Sequence, residues 1–156
     1  MERFTISLDS ELATEFDRLI AQRGYVNRSE AVRDLIRERL GSALLDANKA
    51  KWCVATVTYV YDHHEQTVTS RLMDLQHEHH DLVVSSLHTH LDHENCLETV
   101  ILRGPTAAVQ ECASQLIALR GVRHGQVHLV ALAQESGHHK HSHPGPLSHS
   151  HLKPLN

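Results

Sequence analysis

The sequence predicts an α+β chain in two parts: a short β-α-α unit, then a ferredoxin-like β-α-β-β-α-β sandwich. Three observations predict it. Arg3 to Leu8 alternate between polar and apolar residues; two apolar stripes of helical period follow; and from Trp52 to Ala133 apolar extended runs take turns with helical stripes. The expected boundaries are 1–45 for the first domain, 46–51 for a linker, 52–133 for the second domain and 134–156 for a disordered tail.

In the opening strand Phe4, Ile6 and Leu8 share one side, and Arg3, Thr5 and Ser7 the other. Leu12, Phe16, Leu19 and Ile20 then line a helical face, capped by Asp9 or Ser10 and stopped by Gly24. Asn27 followed by Glu30 is a capping-box pattern for a second helix carrying Ala31, Val32, Leu35, Ile36 and Leu40. Gly41-Ser42 begins a less patterned connection through Lys51. In the second domain the expected elements are a strand at Trp52–Tyr61 and a helix at Glu65–Leu75. Strands at Val83–Leu91 and Cys96–Arg103 follow, then a helix opened by Pro105 and ended by Gly121, and a strand at Val122–Ala133.

A unit of roughly 40 residues has too little core to stand alone, and a lone strand has two unpaired edges. Two copies pairing their strands antiparallel would form a ribbon presenting Arg3, Thr5 and Ser7 twice, a shape that enters a DNA major groove. Arginine reads guanine and hydroxyls read either base type, while the start of the second helix, near Arg28, Ser29 and Arg33, can hold phosphate. The competing reading is an amphipathic dimerisation arm with a solvated polar face.

Composition narrows the functions. The chain has 156 residues and a formal net charge of -4, which excludes a globally basic nucleic-acid binder and restricts DNA contact to a local patch. Three cysteines give no paired framework, which points to a reducing compartment; with no signal peptide and no spanning apolar run, the expected location is the cytoplasm.

His77, His88, His90 and Cys96 form a set of borderline and soft donors. His88 and His90 stand two apart on a strand and so project from one face, and Cys96 returns beside His90 if the turn at Asp92 has the right parity. Such donors suit a late first-row ion, leaving nickel, copper and zinc open. Cys53 and Cys112 read as core, and His93, His124 and His128 as surface residues; His79 and His80 are at most weak metal sites. The tail from Gln134 carries His138, His139, His141 and His143, further candidates for loose metal binding. Glu98 could serve as an acid or base in a metalloenzyme, but four protein ligands would close a planar site.

These residues resemble the nickel-responsive transcriptional regulators of the NikR family, which join a ribbon-helix-helix DNA-binding domain to a ferredoxin-like metal-binding domain. The likeness spans residues 2 to 133. It rests on the stretches 23–34 (RGYVNRSEAVRD), 76–81 (QHEHHD), 87–98 (LHTHLDHENCLE) and 120–125 (RGVRHG). The resemblance implies a nickel-responsive DNA-binding regulator, a repressor of nickel-uptake genes rather than an enzyme. It implies one square-planar nickel(II) per subunit, held by His88, His90 and Cys96 of one subunit and His77 of another, in a homotetramer built as a dimer of dimers on a double-stranded operator. Glu30 and Asp34 match acidic positions that bind potassium in some members. Ser7 stands where threonine is common, and Glu65-Gln66 stand where some relatives carry a basic phosphate-binding pair, so those contacts are not carried over. The alternative is a cytoplasmic nickel buffer or chaperone with a His-rich tail.

Overall fold

The computed structural model describes residues 5–46, 49–135 and 151–155. The chain divides between Leu40 and Gly41 into two compact units.

In the first unit, helix α1 (Ser10–Gln22) starts where the Asp9 carboxylate accepts the Leu12 N–H at 2.8 Å, satisfying one of the unpaired donors of its first turn. Gly24, at φ 77°, lies just past its end in the left-handed conformation that stops helices. Helix α2 (Arg28–Asp46) opens with the Asn27 side chain accepting the Glu30 N–H at 2.9 Å, the forward half of the expected capping box. Ile20 and Ala31 are buried.

Two expectations change here. Helix α2 does not give way at Gly41-Ser42 but continues to Asp46, because Leu44 and Leu45 at its end pack into the hydrophobic core of the second unit. That gain outweighs the weak helix propensity of one glycine. Residues 5–9 form no strand in the single chain. A strand is completed by a partner's hydrogen bonds, and one copy supplies none; Arg3 and Phe4 lie outside the described residues.

The second unit is an antiparallel sheet in the order β2-β3-β1-β4-β5. Its elements are β1 (Trp52–Asp62), α3 (Gln66–Glu78), β2 (Val83–His90), β3 (Asn95–Pro105), α4 (Thr106–Ala118), β4 (Arg123–Glu135) and β5 (His151–Pro154). The first four strands have the ferredoxin-like arrangement, β1 pairing with both β3 and β4. Alternation along β1 turns Cys53, Ala55, Val57, Tyr59 and Tyr61 inward, and β3 does the same with Cys96, Val100 and Leu102. Val68 and Leu72 of α3, with Val109, Cys112, Ala113 and Leu116 of α4, complete that core. Cys53 and Cys112 are therefore core residues, as expected. Pro105 sits at the cap of α4 rather than inside its first turn, and Thr106 donates its hydroxyl to the Ala50 carbonyl at 2.6 Å.

The tail expectation is corrected at both ends. Gln134 and Glu135 continue β4, and His151–Pro154 return as β5 along its edge, pairing Leu132 with Pro154 and Glu135 with His151. Leu155 explains the return: it packs against the core and its N–H reaches the Ala131 carbonyl at 2.9 Å. Residues 136–150, including His138, His139, His141 and His143, lie outside the described residues.

Candidate metal centre

The β2-β3 hairpin sets the geometry. Asp92 organises its turn by accepting the N–H groups of Glu94 and Asn95 at 2.8 and 2.7 Å, an arrangement that also holds its carboxyl down at about 2. The Asn95 side chain contributes most to that depression, and the Arg123 guanidinium in turn donates to the Asn95 side-chain oxygen. The turn has the parity the sequence reading required: His90 pairs directly with Cys96, and His88 with Glu98. On the neighbouring strand Tyr61 lies opposite Cys96 and Tyr59 opposite Glu98. Directly paired residues share a face, so His88, His90, Cys96, Glu98, Tyr59 and Tyr61 form one array on the face that carries the core.

Within this array Cys96 is fully buried, whereas His90 is exposed. The Cys96 sulfur lies 3.2 Å from His90 Nδ1. Burial first, then the carboxylates of Asp92, Asp62 and Glu98, push its thiol up. The His88 ring centroid is 5.0 Å from that of His90, and its Nδ1 lies 3.3 Å from the Tyr61 hydroxyl. Burial and the nearby Glu98 push the Tyr61 phenol up to about 12, so it stays protonated. The Tyr59 phenol is also pushed up, chiefly by burial. Glu98 is buried and accepts from Gln76 Nε2 at 2.8 Å. It ties α3 to the sheet rather than standing free as an acid or base.

His77 is placed differently. Helix α3 runs to Glu78, past the Leu75 end expected from sequence, so His77 sits on its last turn, exposed. Among the described residues it is not one of the donors that converge on Cys96. The third donor in this protomer is His63, whose Nδ1 lies 3.2 Å from the Cys96 sulfur. Sequence reasoning missed it. His63 follows the end of β1, and only the pairing of Asp62 with Asn95 brings it beside the hairpin. Of the expected weak metal sites, His79 faces the Gln115 side-chain oxygen at 3.4 Å and His80 the His77 carbonyl at 3.2 Å.

In the first unit Thr5 and Ser7 are exposed, as are Ser29 and Glu30. Arg28 is engaged, gripping Asp17 with two hydrogen bonds of 2.7 and 2.6 Å, and Arg33 donates to the Ser29 carbonyl at 3.3 Å. Asp34 accepts from Arg37 at 3.0 Å and from the Tyr25 hydroxyl at 3.3 Å. Among the described residues no helix is long and apolar enough to cross a membrane.

Comparison with known proteins agrees with both halves. Residues 2–42 match the ribbon-helix-helix proteins of the copG family, and residues 54–130 match the NikR C terminal nickel binding domain. A protein of Trichlorobacter lovleyi bearing the name nickel-responsive regulator is 46% identical over 137 residues, covering 88% of this chain and 96% of its own. Its namesakes in Solibacter usitatus and Thermococcus kodakarensis are 44% and 41% identical, covering 86% and 85% of this chain and 96% of their own. The array on β2 and β3, the two helices before it and these relatives agree: this chain belongs to the NikR family of nickel-responsive transcriptional regulators, which bind nickel and DNA and are not enzymes.

Proposed function

We propose that His88, His90 and Cys96 of one protomer and His77 of a second hold one nickel ion per subunit, in a cytoplasmic homotetramer that represses nickel-uptake genes. One observation carries this reading: the hairpin register gathers His88, His90 and Cys96 on one face, while His77 stands exposed on α3 and outside the protomer's own donor cluster. The donors fit nickel. Neutral imidazoles and a thiolate are borderline and soft ligands, and the donor cluster found among the described residues is of these types. The Tyr61 hydroxyl engages His88 at Nδ1 and so leaves Nε2 as the nitrogen open to a metal; in the tautomer that binds one, Nδ1–H donates to the Tyr61 oxygen and Tyr61 orients a ligand. Gln76, next to His77 in sequence, is anchored on buried Glu98, which fixes the last turn of α3 from the sheet side.

When bound, the ion supplies a bond between subunits. A ligand set divided between protomers makes their packing depend on the ion, and through packing the placement of the DNA-binding units. The coupling is reciprocal: operator binding raises nickel affinity by the factor that nickel raises operator affinity, typically worth about 1–3 kcal/mol. Arg3, Thr5 and Ser7 of two paired strands read the bases. Ser29, Arg33 and Arg28 hold phosphate, Arg28 after exchanging Asp17 for it. Glu30 and Asp34 are the candidate potassium ligands, and Asp34 would first have to leave Arg37.

Complementation tests the divided site. His77→Ala and His88→Ala proteins should each lose tight nickel binding and nickel-dependent operator binding. Co-expression of the two should restore both in part, because each mixed pair assembles one intact site. Absence of restoration, or full nickel binding by His77→Ala alone, would refute the shared sphere.

A further inference from the structure

We infer that His63, His90 and Cys96 of a single protomer form a second metal mode, suited to zinc, that excludes the nickel mode by taking two of its ligands. The donor atoms, His63 Nδ1, His90 Nδ1 and Cys96 Sγ, all lie within 4.8 Å of one another, and both nitrogens are 3.2 Å from the sulfur. At ordinary zinc bond lengths, about 2.3 Å to sulfur and 2.0–2.1 Å to nitrogen, a tetrahedral ion separates these atoms by about 3.5 Å. Relative to the sulfur, each imidazole needs to retreat by only a few tenths of an ångström. Exposed His90 and half-buried His63 have that freedom, and buried Cys96 need not move.

His63 is held for the task by its surroundings. Its N–H donates to the Glu94 carbonyl at 3.1 Å and its carbonyl accepts the Thr69 hydroxyl at 3.4 Å. The His64 ring lies 4.2 Å from it, fixed by its Nε2 at 2.9 Å from the His93 carbonyl. The His63 and His90 rings meet edge to face at 73° rather than stacked, so both can aim a nitrogen at one point. His88 is not among the donors that converge here.

The donor set selects the ion. Zinc has no d-electron preference for geometry and accepts two imidazoles, one thiolate and a water. A planar nickel ion gains most from four protein donors. The two modes share Cys96 and His90, so one ion displaces the other. Zinc held inside one protomer draws nothing from a second and leaves subunit packing unbiased. That last consequence rests on the divided nickel site proposed above; the zinc mode does not.

The test uses the full-length protein loaded with zinc alone, and separately with cobalt(II) as a coloured stand-in. His63→Ala should lower zinc affinity, read by competition with a chelator, about tenfold or more relative to nickel affinity, and should remove the intense visible bands of tetrahedral cobalt(II). His77→Ala should leave both unchanged. Wild-type zinc affinity and cobalt bands in His63→Ala, or their loss in His77→Ala, would overturn the inference. If His63→Ala weakens zinc and nickel equally, His63→Cys decides. Recovered zinc affinity with an added sulfur-to-cobalt charge-transfer band supports the site, and no recovery overturns it. Nickel bound normally by His77→Ala would sink the divided nickel site and leave the zinc mode standing.

Discussion

The two units bury their apolar side chains to different degrees. In the second, Tyr59, Leu72, Leu102 and Leu116 are fully buried within one chain. In the first, Ile6, Leu8, Leu12, Ile36 and Leu40 each remain more than two-fifths exposed. A cluster of large exposed apolar residues in so small a unit marks a surface meant for a partner. The contrast teaches a division of labour. Within one chain the metal-binding unit closes a core and gathers three donors, leaving Val84, Leu87 and Leu91 on and beside β2 exposed, whereas the first unit, among its described residues, buries only Ile20 and Ala31 and leaves most of its large apolar side chains uncovered.

The largest expected effect tests the self-sufficient half. Leu102→Ala removes a fully buried side chain from β3 and should cost about 2–5 kcal/mol, read from urea unfolding of the metal-free protein by the fluorescence of Trp52, its single tryptophan. The wild-type midpoint should hold on tenfold dilution. A midpoint that falls with dilution as much as with the mutation would mean that the second unit also depends on association, and the contrast would fail.

The next effect belongs to the incomplete half. Ile36→Ala should leave the Trp52 transition in place but weaken self-association of the first unit by roughly 1–3 kcal/mol, the worth of burying such a side chain. Sedimentation and operator titration measure it, and both should weaken together. Operator affinity that survives the loss of association would show that one copy of the unit suffices to bind DNA.

The same contrast explains what was legible in the sequence. Local signals were sufficient for the cap at Asn27, for a cap at Asp9 or Ser10 and for the alternation of β1 and β3, while the hairpin parity stood as a condition that the pairing of His90 with Cys96 meets. Each depends on residues a few positions apart. His63 escaped because it becomes a neighbour of Cys96 only through the β1-β3 register, a pairing across more than thirty residues that no local pattern encodes. β5 escaped for a similar reason: His151–Pro154 carry little intrinsic strand signal and are ordered by an edge of β4 and by Leu155 on the core. The opening strand is the converse case, readable by alternation, yet its described residues 5–8 form no strand in one chain.

A smaller effect separates helix formation from association. Asp9→Ala deletes the side chain that caps α1 and should destabilise the first unit by about 1 kcal/mol, while nickel binding by the second stays as it was. Helix content followed by circular dichroism on heating, beside a nickel titration, gives both readouts. A parallel loss of nickel affinity would show that the two units do not act independently.

The smallest effect concerns Asp17 and Arg28. The Arg28 hydrogen bonds hold the Asp17 carboxyl below the usual carboxylate range, against desolvation and with a smaller contribution from the Arg28 charge. A carboxyl depressed in the folded state contributes stability that is present above the unfolded pKa, about 3.9, and is lost as pH falls through the lower folded value. The stability difference between the wild type and Asp17→Asn should therefore be level from about pH 7 to 5 and shrink below about pH 4. It should also weaken in high salt, because both side chains are solvent-exposed. A difference that persists unchanged at low pH would place its origin outside this ion pair. Operator binding sharpens the test: if Arg28 leaves Asp17 for a phosphate, the Asp17 carboxyl, followed by NMR, must return toward its ordinary range in the complex. A carboxyl still depressed there would remove Arg28 from the phosphate contacts and leave Ser29 and Arg33 to hold the backbone.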